Sequence, residues 1–207
     1  MRILGIVSET HDSGLALLED GRPVLVLEEE RLSRIKHSQD FPRMSVAAAI
    51  ERGLRLDDID TIATPWKISR LRKTFLKAVL RNAPASLNLL RPGAQTAQKN
   101  SIVLLNFWLK YGLRKGFGQR RLPPLVNIPH HNAHAGIYFV SPFEEGNVLV
   151  MDGYGDAAAT SAFVGTGSTL KRQWQGEFFN SIGMVYTFMT AHLGFRAFEE
   201  GTVMALA

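Results

Sequence analysis

The stretch "RILGIVSETHDSGLALLEDGRPVLVLE", residues 2–28, decides the fold. Three apolar runs within it, 2–8, 14–19 and 23–28, have strand length and end in turn signals. Asp20-Gly21 separates the second run from the third, and a tight primed turn requires positive φ at its central positions. The loop between the first two, Glu9-Thr10-His11-Asp12-Ser13, is short and polar. These signals predict that the chain opens as a three-stranded antiparallel meander.

Working outward, helical spacing predicts a helix over 45–52, and 59–64 reads as a strand ending at Pro65. A meander followed by helix and strand predicts an α/β chain with a mixed sheet, the opening of a ribonuclease-H-like lobe. Two helical segments are expected at 67–81 and 101–114, joined by a linker around Arg91-Pro92-Gly93. A short strand is expected at 125–128, then a helix rich in histidine. A second meander is read through 147–151, 159–164 and 169–176, and another helix at 181–193. The segments "RILGIVSETHDSGLALL" and "NVLVMDGYGDAAATSAFV" are alike in pattern, as a divergent duplication or two unrelated hairpins would make them. The expected division is a first lobe over 1–145, with a basic helical insertion at about 66–121, and a second lobe over 146–207. That second lobe is expected to be incomplete, the chain being a fragment.

The net charge of +5 is not evenly spread. Residues 66–121 hold thirteen Lys or Arg and no Asp or Glu, leaving eleven basic residues against all 19 acidic ones elsewhere, a net of −8. This block interleaves cations with Leu, Phe, Val and Trp108, and its stretch "SIVLLNFWLKYGLRKGFG", 101–118, looks like a cationic amphipathic helix lying on a partner or an anionic membrane. It reads equally as an insertion with a packed apolar face and a solvated basic one. A nucleic-acid role would use counterion release, but no recognised binding motif is present, and none is expected as a partner. With no cysteine, disulfides and thiolate metal sites are excluded. No apolar run reaches the roughly 18 residues of a membrane span, and residues 1–8 lack signal-peptide features. The expected location is cytoplasmic.

Three of the six histidines fall in Pro129-His130-His131-Asn132-Ala133-His134-Ala135. His130 and His134 are four apart, so a helix places them one turn apart on the same side, where both imidazoles can reach one ion. A third ligand is needed from elsewhere, and a carboxylate suits it; a helix-capping or surface cluster is the plainer alternative. His131 points to another face, as a substrate-contacting or structural group. Met151-Asp152-Gly153-Tyr154-Gly155-Asp156 follows an apolar strand that can deliver Asp152 into a cleft. Gly153 and Gly155 would let the backbone approach a phosphate closely, although a plain hairpin turn has the same composition. In the first meander, His11 oriented by Asp12 can serve as a base toward an alcohol, or simply belong to a polar turn. Arg34, Lys36 and His37 end the charged run 28–37 and could meet an anion or be solvated.

Taken together, "HDSGLALLEDG", "EEERLSRIKHSQDFP", "HHNAHAG", "MDGYGD" and "EEGTVMALA" resemble the O-carbamoyltransferases of the NodU/CmcH family, in that family's order and rough spacing. The resemblance implies an actin-like ATPase fold of two ribonuclease-H-like lobes, with a YrdC-like domain downstream. It implies that carbamoyl phosphate and ATP give carbamoyl adenylate, whose carbamoyl group passes to an acceptor hydroxyl on a natural product or sugar beside a divalent metal, iron. On this reading His130 and His134 are metal ligands, Asp152, Gly153 and Gly155 border the carbamoyl adenylate, and His11 with Asp12 lies near the acceptor hydroxyl. The family's "KVMGLA" is Thr202-Val203-Met204-Ala205-Leu206-Ala207 here, without a lysine and a glycine. The family's last metal ligand, an aspartate, lies beyond Ala207, so the isolated chain is expected to be inactive without a second polypeptide carrying the missing lobe. The other readings kept open are a non-catalytic nucleotide- or metal-binding half or relic needing a second polypeptide, and a relative of actin-like kinases or tRNA threonylcarbamoyl transferases.

Overall fold

The computed structural model describes residues 1–207 apart from Glu9, Ala85, 87–103 and Ala197. The expected Arg91-Pro92-Gly93 linker and the start of the expected 101–114 helix lie outside the described residues. The meander forms as β1 (Arg2–Val7), β2 (Gly14–Glu19) and β3 (Arg22–Glu28). Asp20 and Gly21 turn the chain between β2 and β3 with φ of 48° and 81°, the two positive values a primed turn requires. A short α1 (Glu29–Ser33) follows, which the mixed charges of that run did not suggest. Then come α2 (Arg43–Glu51), a 3-10 turn (Leu56–Asp58) and β4 (Thr61–Thr64).

Next are α3 (Ile68–Arg81) and α4 (Leu105–Phe117), then β5 (Leu125–Asn127). The histidine motif forms α5 (His130–Ala135), continued by a 3-10 segment (Gly136–Val140). The second meander is β6 (Glu145–Met151), β7 (Ala158–Thr166) and β8 (Thr169–Glu177). The final elements are α6 (Ile182–His192) and α7 (Glu200–Leu206). Among the described residues, no helix is long and apolar enough to cross a membrane.

The chain divides into two compact units, Met1–Ile68 with Gln98–Ile128, and Ser69–Ala97 with Pro129–Ala207. The first unit holds a five-stranded mixed sheet in the order β3-β2-β1-β4-β5. The meander pairs are antiparallel, while β1–β4 and β4–β5 are parallel. Alternate residues Leu4 and Ile6 on β1, Leu15 and Leu17 on β2, and Ile62 on β4 go to one core with Val46 and Ala49 of α2. Leu109 and Leu113 of α4 are fully buried in that same core, so α4 is a packed part of this unit. Parallel strands cannot be joined by a tight hairpin, and the segment between β4 and β5 supplies the crossover.

The second unit holds the three-stranded antiparallel sheet β6-β7-β8. Its core gathers Val150 and Phe163 from the sheet with Ala135 at the end of α5. The histidine helix thus groups with the second sheet, where the sequence reading placed it in the first lobe. Helix α3 also belongs to the second unit: Thr74 Oγ1 donates to the Asp156 carbonyl at 2.9 Å.

Candidate metal centre

In the second unit, β6 ends at Met151 and the chain turns at once into the loop 152–156. Asp152 N–H donates to the Ala159 carbonyl at 2.9 Å, and Gly155 N–H donates to the Ala158 carbonyl at 2.7 Å, so the loop folds back on β7. Two side chains clamp it further. Buried Asp156 accepts from the backbone N–H of His130, tying the loop to the first residue of α5. Ser181 caps α6 by accepting from Met184 N–H, and its hydroxyl lies 3.0 Å and 2.6 Å from the carbonyls of Asp152 and Gly153. A Cβ on Gly183 would stand 2.7 Å from the Asp152 carbonyl carbon and oxygen, so α6 begins directly against the loop.

This scaffold aims Asp152 at α5. His130 Nε2 is 3.0 Å and His134 Nε2 is 3.8 Å from the same oxygen, Asp152 Oδ2, and the two imidazole nitrogens are 3.1 Å apart. With bonds of about 2.1 Å, adjacent ligand atoms stand roughly 3.0 Å apart in octahedral geometry and roughly 3.4 Å apart in tetrahedral geometry. The His130–Asp152 and His130–His134 separations have this spacing, and the His134–Asp152 separation of 3.8 Å is a few tenths of an ångström wider. Two imidazoles and one carboxylate with further positions open also form the donor set of non-haem iron(II) and of catalytic zinc. The residues present therefore fit a divalent cation. Burial alone would raise the Asp152 carboxyl, but the His130 hydrogen bond, the two imidazoles and the Gly153 N–H hold it below the usual carboxylate range.

His131 lies on the other side of α5 and is buried, with Nδ1 2.8 Å from Ser161 Oγ. Burial lowers its pKa, so the ring is neutral near pH 7. Its Nε2 has no hydrogen-bond partner among the described residues. A Cβ on Gly155 would lie 2.8 Å from His131 Cδ2 and 3.0 Å from Nε2, so the absence of a side chain at 155 is what admits the ring. Gly155 thus serves packing within the protein.

In the first unit, the loop between β1 and β2 brings a second set together. The Asp12 carboxylate accepts from His11 Nδ1 and from His37 Nδ1, each at 2.9 Å. Because a carboxylate only accepts, each Nδ1 carries its proton and the basic lone pair falls on Nε2. Burial would raise the Asp12 carboxyl, but the two histidines hold it below its ordinary value. Glu30 accepts from His37 N–H at 3.4 Å. Buried Glu29 is structural, accepting from the N–H groups of Met44 and Ser45 and from the Ser45 hydroxyl and so covering donors that begin α2. Arg34 and Lys36 are exposed, Arg34 being the left-handed residue that ends α1.

The structure therefore brings His130, His134 and Asp152 together, and separately His11, Asp12 and His37. Sequence reasoning missed Asp156, Ser161 and Ser181. Ser181, just before an apolar helical run, carried a readable N-cap signal, whereas the partners of Asp156 and Ser161 are at least 26 residues away in sequence.

The fold and site define an α/β protein in whose second unit α5 and the loop after β6 together present a two-imidazole, one-carboxylate centre. The chain belongs to the family described as carbamoyltransferase N-terminus, whose model matches residues 2–207. It is 34% identical to the uncharacterised protein sll1178 of Synechocystis over 99% of this chain and 34% of that protein. It is 33% identical to nodulation protein NolNO of Sinorhizobium fredii over 95% of this chain and 27% of that protein. Nodulation protein U of the same organism is 29% identical over 74% of this chain and 27% of its own length. The chain thus spans about a third or less of the curated relatives it matches.

Proposed function

We propose that this chain is the portion of a carbamoyltransferase that carries its metal centre, with two ribonuclease-H-like units of the actin-like ATPase type. The strand order β3-β2-β1-β4-β5, with an antiparallel meander extended by parallel strands, supports the fold assignment. The reaction is transfer of the carbamoyl group from carbamoyl adenylate, made from carbamoyl phosphate and ATP, to a hydroxyl of a natural product or sugar. The acceptor oxygen forms a bond to the carbamoyl carbon, the bond from that carbon to the phosphate oxygen breaks, and AMP leaves. The hydroxyl proton goes to a base.

His130, His134 and Asp152 would hold the divalent cation, iron in this reading, which when bound supplies Lewis-acid polarisation of a coordinated oxygen. Gly153 N–H donates to Asp152 Oδ1 at 2.6 Å and so holds the carboxylate with its other oxygen toward the imidazoles. His11, with Nδ1 committed to Asp12, has its basic nitrogen at Nε2 and is the group assigned to accept the proton. Complete turnover is assigned to this chain together with the remaining family sequence, on the same or a second polypeptide.

The observation that carries the proposal is the convergence of both Nε2 atoms on one Asp152 oxygen. Its test is metal content after loading with Fe(II) under anaerobic conditions, wild type against the double variant His130→Ala, His134→Ala. The variant is expected to lose bound metal. Equal content in both would remove the centre, and with it the proposed chemistry.

A further inference from the structure

We propose that α3 is a docking face for an anionic phospholipid surface. The two helices of the basic block differ in the burial of their leucines. On α4 the row Leu105, Leu109 and Leu113 is fully buried, as the apolar face of a helix in a globular unit should be. On α3 only Ile68 and Leu71, at the start, are buried, while Phe75, Leu76 and Leu80 are 51%, 59% and 69% exposed.

The orientation of α3 is fixed by its polar side. Thr74 donates to the Asp156 carbonyl, Arg81 pairs with Glu177 at 3.6 Å, and the Arg81 guanidinium stands over the Phe179 ring. These contacts turn the face bearing Leu76 and Leu80 outward. Lys73 and Lys77 flank it, and with Leu76, Leu80 and Arg81 they line one open cleft. Residues 66–121 contain no Asp or Glu, and of the three cations Arg81 is paired, with Glu177 from β8.

Large apolar side chains bordered by lysines match a bilayer's headgroup boundary, where leucine and phenylalanine meet acyl chains and ammonium groups meet phosphates. Nucleic acid would use the cations but leave Phe75, Leu76 and Leu80 in water. A protein partner of ordinary composition would not require a helix of fourteen residues to carry five basic side chains and no acid. The chemistry of the face therefore selects a negatively charged lipid surface, contacted peripherally. This docking is independent of the carbamoyl-transfer reading, since it uses none of that site's ligands.

The test is co-sedimentation of the chain with vesicles of phosphatidylcholine alone and of phosphatidylcholine mixed with phosphatidylglycerol. Binding is expected to the mixed vesicles only and to weaken as salt rises. Lys73→Ser with Lys77→Ser should weaken it by about tenfold or more, each basic residue near an anionic surface contributing roughly fivefold. Leu76→Ser with Leu80→Ser should weaken it comparably, while Lys171→Ser, an exposed lysine on β8, should not. All five positions are solvent-exposed, and circular dichroism melts verify that the variants fold. No binding to mixed vesicles, equal binding to neutral ones, or insensitivity to both α3 pairs would each overturn the proposal. So would self-association in sedimentation equilibrium that the leucine pair abolishes, because the face would then belong to a second copy.

Discussion

At the scale of single residues, the candidate centre depends on side chains that never touch the ion. Gly155 makes room for the His131 ring, Ser161 holds that ring's Nδ1, and Asp156 binds the first N–H of α5. Gly155→Ala would force a methyl group to within 3 Å of His131, and overpacking of this kind costs about 1–3 kcal/mol. The expected result is a lower melting temperature with weakened Fe(II) binding, because the loop that carries Asp152 shifts. Ser161→Ala removes one hydrogen bond to a buried neutral ring, at a cost of about 1 kcal/mol, without adding bulk. It should lower stability while leaving metal affinity within a fewfold of wild type. Should Ser161→Ala abolish metal binding while Gly155→Ala leaves it intact, the assignment of Gly155 as the loop's spacer would be wrong. The spacing of His130 and His134 was legible because helical periodicity is local. The role of Gly155 was not, since the ring it accommodates comes from 24 residues earlier and a turn glycine next to a phosphate has the same sequence appearance.

Among elements, the meander and the basic block mark the two extremes of legibility. Each strand of the meander carries its own alternation, and Asp20-Gly21 carries its own turn, so β1 to β3 formed within a residue of expectation. In 66–121 the cations dominate the composition and conceal the row Leu105, Leu109, Leu113, which is spaced at four like any core face. The neighbouring Phe107, Trp108 and Tyr111 are exposed, so the large aromatics do not mark the buried side. Burial here is set by partners distant in sequence. A Cβ on Gly112 would fall 2.3 Å from the Phe41 ring, which shows how closely α4 sits on the segment leading into α2. Leu109→Ala is expected to destabilise the first unit by about 2–5 kcal/mol, the range for emptying a fully buried leucine site. Chemical denaturation followed by far-ultraviolet circular dichroism measures it. A loss no larger than that of an exposed residue such as Leu104→Ala would contradict the burial of α4.

For the whole molecule, the two units differ in what stabilises them. The first gathers a broad core from its sheet and from both α2 and α4, whereas, among the described residues, the buried cluster on the second sheet joins Ala135, Val150 and Phe163, with Val148 and Leu170 packed against it. A ligand that binds the native state alone stabilises it by mass action, about 2.7 kcal/mol at a hundredfold excess over its dissociation constant. A cation at His130, His134 and Asp152 links α5 to the loop after β6, both within the second unit, so its stabilisation should be confined there. Amide hydrogen exchange resolves this, since protection is read segment by segment. Adding Fe(II) should slow exchange in 130–135 and 148–164, and chelator should reverse it. Exchange in β1, β2 and β4 should not change. Leu109→Ala should speed exchange in the first unit without altering the metal-dependent increment in the second, and His134→Ala should erase that increment while leaving the first unit as it was. Equal slowing of both units by metal, or an increment that survives His134→Ala, would place the cation somewhere other than α5.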